Sequence, residues 1–332
     1  MACTALLYAQ QSAAPGPAPA SSITLNVVVT AKSGPPVAGL QQQDFTLFDN
    51  KTARPITSFK AFTGSQDPVH VILVIDAVNT DYQVIAYERQ QLDKFLHANG
   101  GTLAEPMMLA FFTDDGIQMQ QAYSTNGNEL SSSLDGYSVS LRNIRRSSQY
   151  QGIDRFRLSI TALGQVLTSQ ENLPGRKMIL WVSPGWPLLA GPRIELDGKQ
   201  LDQAFSSIVG LSTALRRAQA TLYAISPLGS GEGVGRANYY EDFLKGVRKP
   251  GDATLGALSL QVLATQSGGL VFFGSNDVPS LLQKCMEDAK AYYELSFVPP
   301  PADHRNEYHS LQVQVSKPGL TARTRQGYYA QP

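Results

Sequence analysis

From Val69 to Tyr292, short apolar runs alternate with amphipathic stretches, and this alternation restricts the fold more than any other feature of the chain. Val69 to Ile75, Met107 to Phe112, Met178 to Val182, Thr221 to Ile225 and Leu270 to Phe273 are strand-length runs without regular polar alternation. That is the pattern of strands buried on both faces. Asp81 to His97, Ile153 to Leu167, Leu201 to Ala218, Leu255 to Thr265 and Val278 to Tyr292 have helical spacing. In the first of these, Val84, Tyr87, Gln91 and Phe95 form the expected stripe; in the second, Phe156, Ile160, Leu163 and Leu167 do. The alternation predicts an α/β class, with a doubly wound, mostly parallel sheet covered by helices on both faces. Ser124 to Gln151 and Pro227 to Pro250 each have room for one short helix.

The flanks read differently. Ile23, Leu25, Val27 and Val29 alternate with other residues, and Phe45, Leu47 and Ile56 to Phe62 give further short strands. After Tyr292, strands are expected at Tyr293 to Val298, Ser310 to Val315 and Thr321 to Tyr329. Neither flank is large enough to bury a core by itself, so the two are expected to pack together as one small β-domain. The organisation read from the sequence is therefore a linker region at 1–22, a β flank at 23–66, an inserted α/β domain at 67–292 and a second β flank at 293–332.

Composition narrows the function. Basic and acidic residues balance at 27 each, which leaves no surplus of Lys and Arg for nucleic acid. No run of about 18 apolar residues exists to span a membrane. Met1 to Ala9 is a short apolar stretch followed by a Gln-, Ala-, Pro- and Ser-rich linker, which reads as the remnant of a signal peptide and predicts export. Of the two cysteines, Cys3 lies in that stretch, so Cys285 has no partner for a disulfide and is expected to be a small buried apolar group.

Several motifs recur in an ordered array. They are Ile23-Thr-Leu-Asn-Val-Val-Val-Thr, Val37-Ala-Gly-Leu, Asp44-Phe-Thr-Leu-Phe-Asp, Val71-Ile-Leu-Val-Ile-Asp-Ala-Val-Asn-Thr, Arg176-Lys-Met-Ile-Leu-Trp-Val-Ser-Pro-Gly, Tyr292-Tyr-Glu-Leu-Ser-Phe-Val-Pro and Arg325-Gln-Gly-Tyr-Tyr. On these motifs the core resembles the von Willebrand factor type A domain, and the whole chain from Ile23 to Ala330 is similar to the VWFA-related proteins abundant in Acidobacteria. The resemblance implies an exported protein without enzyme activity. It also implies a metal-ion-dependent adhesion site at the carboxyl ends of the strands, built from Asp-x-Ser-x-Ser, a Thr and an Asp.

Here that pattern is degraded. Asp76 and Thr80 match two of the expected ligands, while Val78 replaces a serine and Ser183-Pro184-Gly185 replaces the loop that should carry the second aspartate. No threonine precedes the helix at Ile153, where Ser147, Ser148 and Asp154 stand. Mg²⁺ or another divalent cation at Asp76 and Thr80 is one expectation, since hard cations take oxygen ligands. The other is that the two residues cap the following helix. Thr113-Asp114-Asp115-Gly116 resembles the missing loop but follows a different strand, and reads as a β-turn with Asp and Gly at favoured positions.

Other chemistry is poorly supported. Trp181-Val-Ser-Pro-Gly offers Ser183 as a hydrolase nucleophile, but prolines 184 and 187 obstruct the turn into a helix that such a serine needs. The glycines from 229 to 235 fit no dinucleotide register. His70, His97, His304 and His309 lack metal-ligand spacing. Arg142, Arg145 and Arg146 form a small basic cluster. The function expected is a binding or adhesion module that contacts a protein partner through its strand-end loops, with Asn79, Asp114, Asp115, Ser183, Trp186 and Leu188 as the contact residues. The alternatives are a hydrolase using Ser183 and a structural envelope subunit.

Overall fold

The structure, a computed structural model, describes residues 22–32, 34–64, 69–136, 149–187, 195–229 and 238–332. The N-terminal flank supplies β1 (Ile23–Ala31), β2 (Phe45–Asp49), β3 (Thr52–Arg54) and β4 (Ser58–Thr63). The chain then enters an α/β lobe whose strands are β5 (His70–Asp76), β6 (Thr102–Thr113), β7 (Gly116–Met119), β8 (Ser124–Asn126), β9 (Lys177–Val182), β10 (Ala220–Gly229) and β11 (Val271–Gly274). Its helices are α1 (Tyr82–Leu96), the single turn α2 (Ala98–Gly101), α3 (Gly127–Gly136), α4 (Gln149–Gln170), α5 (Gly198–Arg217), α6 (Leu260–Gln266) and α7 (Val278–Lys290). The C-terminal flank returns as β12 (Ala291–Phe297), β13 (Glu307–Val315), β14 (Leu320–Arg323) and β15 (Gly327–Ala330).

The central sheet runs β11-β10-β9-β5-β6-β7, with β8 also on β6. Pairing is parallel from β11 to β6, and antiparallel for β7 and β8. The fold is α/β and doubly wound, as the apolar runs imply. Strand order reverses between β5 and β9, and a crevice at the carboxyl ends of these two strands is where such sheets hold ligands. The runs are continuous because alternate residues feed two cores. Ile72, Val74, Phe112, Ile179, Trp181 and Leu222 point into the core covered by α4, α5 and α6. Val71, Leu73, Ile75, Leu109, Leu180 and Tyr223 point into the one covered by α1, α3 and α7, where Cys285 is fully buried. Each fully buried Leu or Ile contributes roughly 1.5–3 kcal/mol.

Several expectations need correction. The buried stripe of α1 is Ile85, Glu88, Gln91, Leu92, Phe95 and Leu96; Tyr87, placed on it from spacing, is exposed. The helix expected to reach Tyr292 stops at Lys290, because Ala291 to Phe297 is drawn into a sheet by pairing on both sides. Thr321 to Tyr329 is not one strand but two, β14 and β15, which belong to different sheets. Leu255 to Thr265 is a 3-10 turn at Leu255–Leu258 followed by α6. The turn expected at Thr113–Gly116 is present, centred on Asp114-Asp115 with Gly116 at φ 107°, but the strand β7 that it returns into, antiparallel to β6, was not anticipated.

The two flanks interleave as two four-stranded sheets, β14-β1-β12-β4 and β15-β13-β2-β3. They enclose a third core of Ile23, Leu25, Val27, Phe45, Leu47, Leu295, Phe297 and Val313. One polar cluster is buried between them. Asp49 of β2 accepts from Tyr328 of β15 at 2.8 Å and bonds His309 Nδ1 of β13 at 2.7 Å. All three are buried, and the His309 ring stacks on Tyr328. Removing Asp49 strands two buried polar partners that come from the other end of the chain. Asp49→Ala is therefore expected to cost roughly 2–5 kcal/mol, read as a lower urea midpoint. A change below about 0.5 kcal/mol would show that the cluster does not hold the flanks together.

Candidate functional site

β5 ends on Asp76, beside the point where the strand order reverses. Its carboxylate is fully buried and saturated with donors. Oδ1 accepts from the backbone N–H groups of Val78 (3.0 Å) and Asn79 (2.8 Å). Oδ2 accepts from Asn79 Nδ2 (2.9 Å) and from Trp181 Nε1 (3.0 Å) on the adjoining strand β9. Burial pushes the Asp76 pKa up, and the hydrogen bonds from Trp181, Asn79 and Ser183 partly offset this. Asn79 Nδ2 also donates to Ser159 Oγ at 2.9 Å, and that hydroxyl donates to the Arg155 carbonyl at 2.8 Å, which ties α4 to the end of β5. The Arg155 guanidinium, half-buried, feels the charge of both Asp76 and Asp114.

This donor set does not fit a divalent cation. A metal site needs carboxylate and hydroxyl lone pairs facing an open position. Here indole and amide N–H groups occupy both Asp76 oxygens, and Val78 is a buried apolar residue. Among the described residues no group of three His, Cys, Asp or Glu could hold a metal. Nor does Asp76 cap α1: the N-cap residue is Asp81, and Asp76 instead closes the turn at Val78 and Asn79. Thr80 is fully buried beside that turn.

The other residues expected at the site are divided by burial. Asn79, Ser183 and Trp186 are buried, at 6%, 2% and 5% exposure, so none of them is an open contact. Trp186 folds back edge-on against Trp181, with ring centroids 5.3 Å apart, because its indole gains more from that core than from water. Asp114 is half-buried and Asp115 exposed at the tip of the β6–β7 hairpin. Leu188, Ser147, Ser148, Arg142, Arg145 and Arg146 lie outside the described residues, as does the stretch from Met1 to Ala9. The Ser183 hydroxyl accepts from Gly185 N–H at 3.1 Å. No histidine serves it as a base: His70 opens β5, His97 follows α1, and His304 and His309 belong to the β flank.

Three features escaped the sequence reading. Trp181 looked like one more apolar strand residue, yet it is the donor that fills Asp76. Glu88 is fully buried on the sheet-facing stripe of α1, and neither carboxyl oxygen has a hydrogen-bond partner among the described residues. Its spacing from Ile85 and Leu92 was the available signal. The third is a cleft of about 390 Å³ at the carboxyl end of β10, lined by Val84 and Tyr87 of α1 and by Pro227 and Leu228. Tyr87 is 36% exposed there, its hydroxyl donating to Asn276 O at 3.0 Å, and Tyr82 at the start of α1 is 71% exposed.

Burial, reinforced by the Asp76 charge, holds the Glu88 pKa well above the usual 4.5. The folded state then binds a proton that the unfolded state releases above about pH 4.5, so this group lowers stability as pH rises. Glu88→Gln removes that slope. The variant is expected to match the parent near pH 4.5 and to exceed it in melting temperature near pH 8. Parallel pH profiles for the two proteins would rule out a raised Glu88 pKa.

No protein-family model and no curated protein matches this chain. Solved structures do. A Bacteroides fragilis aerotolerance-related membrane protein is 14% identical over 66% of this chain and 98% of its own, with a TM-score of 0.38. Proximal thread matrix protein 1 of the mussel byssus is 11% identical over 71% of this chain, with a TM-score of 0.41, and the match spans 49% of that protein. The manganese-loaded TRAP protein of Plasmodium vivax is 10% identical over 81% of this chain and 96% of its own, with a TM-score of 0.36. At these identities and scores the likenesses say nothing of what this chain binds; the doubly wound lobe stands on its own strand order and helical layers.

Proposed function

We propose that this chain is a protein-binding module of the type A kind whose contact surface is the strand-end rim and whose binding needs no metal. The observation that carries the reading is the open apolar cleft between α1 and the end of β10. Val84, Tyr87, Pro227 and Leu228 line it together with Gln83, Gly229 and Asn276, and a mainly apolar lining with a few polar groups suits an apolar side chain of a partner. The rim is thus shifted from Trp186 and Ser183 toward Tyr82, Tyr87 and Leu228, with Asp115 as a polar contact at the hairpin tip. Metal independence is supported by the saturation of Asp76 by Trp181 and Asn79. A non-catalytic role is supported by the burial of Ser183, whose hydroxyl is tied to Gly185 N–H and to the Asp76 carboxylate. Export rests on the sequence of Met1 to Ala9. No helix among the described residues is long and apolar enough to cross a membrane.

Two measurements test this reading. A photo-crosslinking amino acid at Tyr87, in the native cell, is expected to give a discrete protein adduct that Leu228→Asp abolishes. The same probe at exposed Lys290, at the far end of α7, serves as control. Equal labelling from both positions would sink the rim as a contact surface. Calorimetric titration with Mg²⁺, Mn²⁺ and Ca²⁺ is expected to give no saturable heat. Saturable heat that disappears in Asp76→Ala would restore a metal-dependent site.

A further inference from the structure

We propose that a cleft of about 340 Å³ where the β flank meets the α/β lobe is a binding site for a small oxyanion, a carboxylate or phosphate group held between Lys51 and Arg248. The site uses none of the rim residues and stands apart from the binding reading above. Its lining includes Lys51, Arg248, His304, Glu307, Tyr308 and Ser310. That volume falls in the range of small-ligand pockets, about 300–1,000 Å³.

Three observations converge on an anion. The first is charge. Neither Lys51 nor Arg248 has an ion-pair partner among the described residues. Glu307 is the sole carboxylate in the lining, so the two cations outnumber it. Its Oε2 accepts from Asp303 N–H at 2.7 Å, and its Oε1 lies 3.5 Å from Nε2 of the buried His309. Lys51 and Arg248 are thus left to face the cleft as cations.

The second is the placement of Lys51. Asn50 and Lys51 form the two-residue turn between β2 and β3, with φ of 48° and 67°. Such a turn favours Asn at its first position and Gly at its second. Lysine at the second is held in a conformation that its Cβ opposes. Strained residues that persist point to a local role. The turn is also pinned, because the Asn50 side-chain oxygen accepts from both the N–H (3.0 Å) and the hydroxyl (3.2 Å) of Ser310.

The third is the placement of Arg248. The Tyr329 hydroxyl donates to the carbonyl of the preceding Val247 at 2.9 Å. Gly246, immediately before Val247, packs so closely on the Tyr308 ring that a Cβ would lie 2.1 Å from it. The backbone leading into Arg248 is therefore clamped to the β flank at two successive residues. A guanidinium can grip an oxyanion with two parallel hydrogen bonds, and a lysine adds a point charge. Together they make a clamp assembled from two lobes.

The test is calorimetric titration of the full chain at low ionic strength with inorganic phosphate and, separately, with succinate. At least one is expected to bind saturably, and Arg248→Ala to weaken it by about tenfold or more. Phosphate binding without succinate binding assigns a phosphate ligand; the reverse assigns a carboxylate. Lys51→Gly is the sharper variant. Relief of the strained turn is expected to raise its urea midpoint while its anion affinity falls by about tenfold. The proposal is overturned if neither anion gives saturable heat up to about 10 mM, or if both variants, folded by circular dichroism, bind as the parent does.

Discussion

The ladder that β12 forms with β4 and β1 is the constraint on which the rest depends. β4 is the last strand before the α/β lobe and β12 the first after it, and they pair antiparallel with Ala291 opposite Thr63. On its other side β12 pairs with β1, Tyr293 opposite Val27. This pairing fixes the two ends of the inserted lobe side by side, so more than 200 residues of chain leave and return at one place. It also decides where α7 must stop. The same sheet packs its second face on the lobe through Val28, Phe62 and Tyr292, which belong to the core under α7. A buried polar joint reinforces the contact. Arg176 donates to the Asp288 carbonyl at 2.7 Å, and Arg323 of β14 pairs with the Asp288 carboxylate at 2.6 Å. Gly268 lies against the backbone of Thr324, where a Cβ would come within 2.7 Å.

At the opposite end of the sheet, the buried Asp76 shows how the same scaffold position can serve different ends. A carboxylate removed from water must find either a cation or several hydrogen-bond donors, because desolvating it is costly. Here four donors from Val78, Asn79 and Trp181 meet that need. The result is a rigid knot that joins β5, β9 and, through Ser159, α4.

Much of the fold was legible in the sequence because its signals are local. Runs such as Val71 to Ile75 can satisfy their backbone and their side chains together only inside a sheet covered on both faces. The site was less legible. Asp76 stood out by position, but its function depends on Trp181, more than 100 residues away, whose indole N–H looks like one more apolar side chain in a run of them. Trp186 read as a contact residue of the strand-end loops because sequence shows size and polarity but not direction. Tyr87 read as core because the expected stripe, which shares Gln91 and Phe95 with the true one, is only a small rotation from Ile85, Glu88 and Leu92. The turn at Asp114 was read, but β7 after it was missed because four residues are too few to show a period.

The sequence by itself determined the class of the lobe, its alternation of buried strands with amphipathic helices, and the β character of both flanks. These follow from periodicity and residue chemistry, which act over a few residues. Tertiary structure decided how the flanks interleave into two sheets, where α7 yields to β12, which groups satisfy Asp76 and Asp49, and which aromatic side chains reach solvent. Each of these is a pairing between residues far apart in the chain, chosen by the competition among strands for partners and among side chains for a limited buried volume.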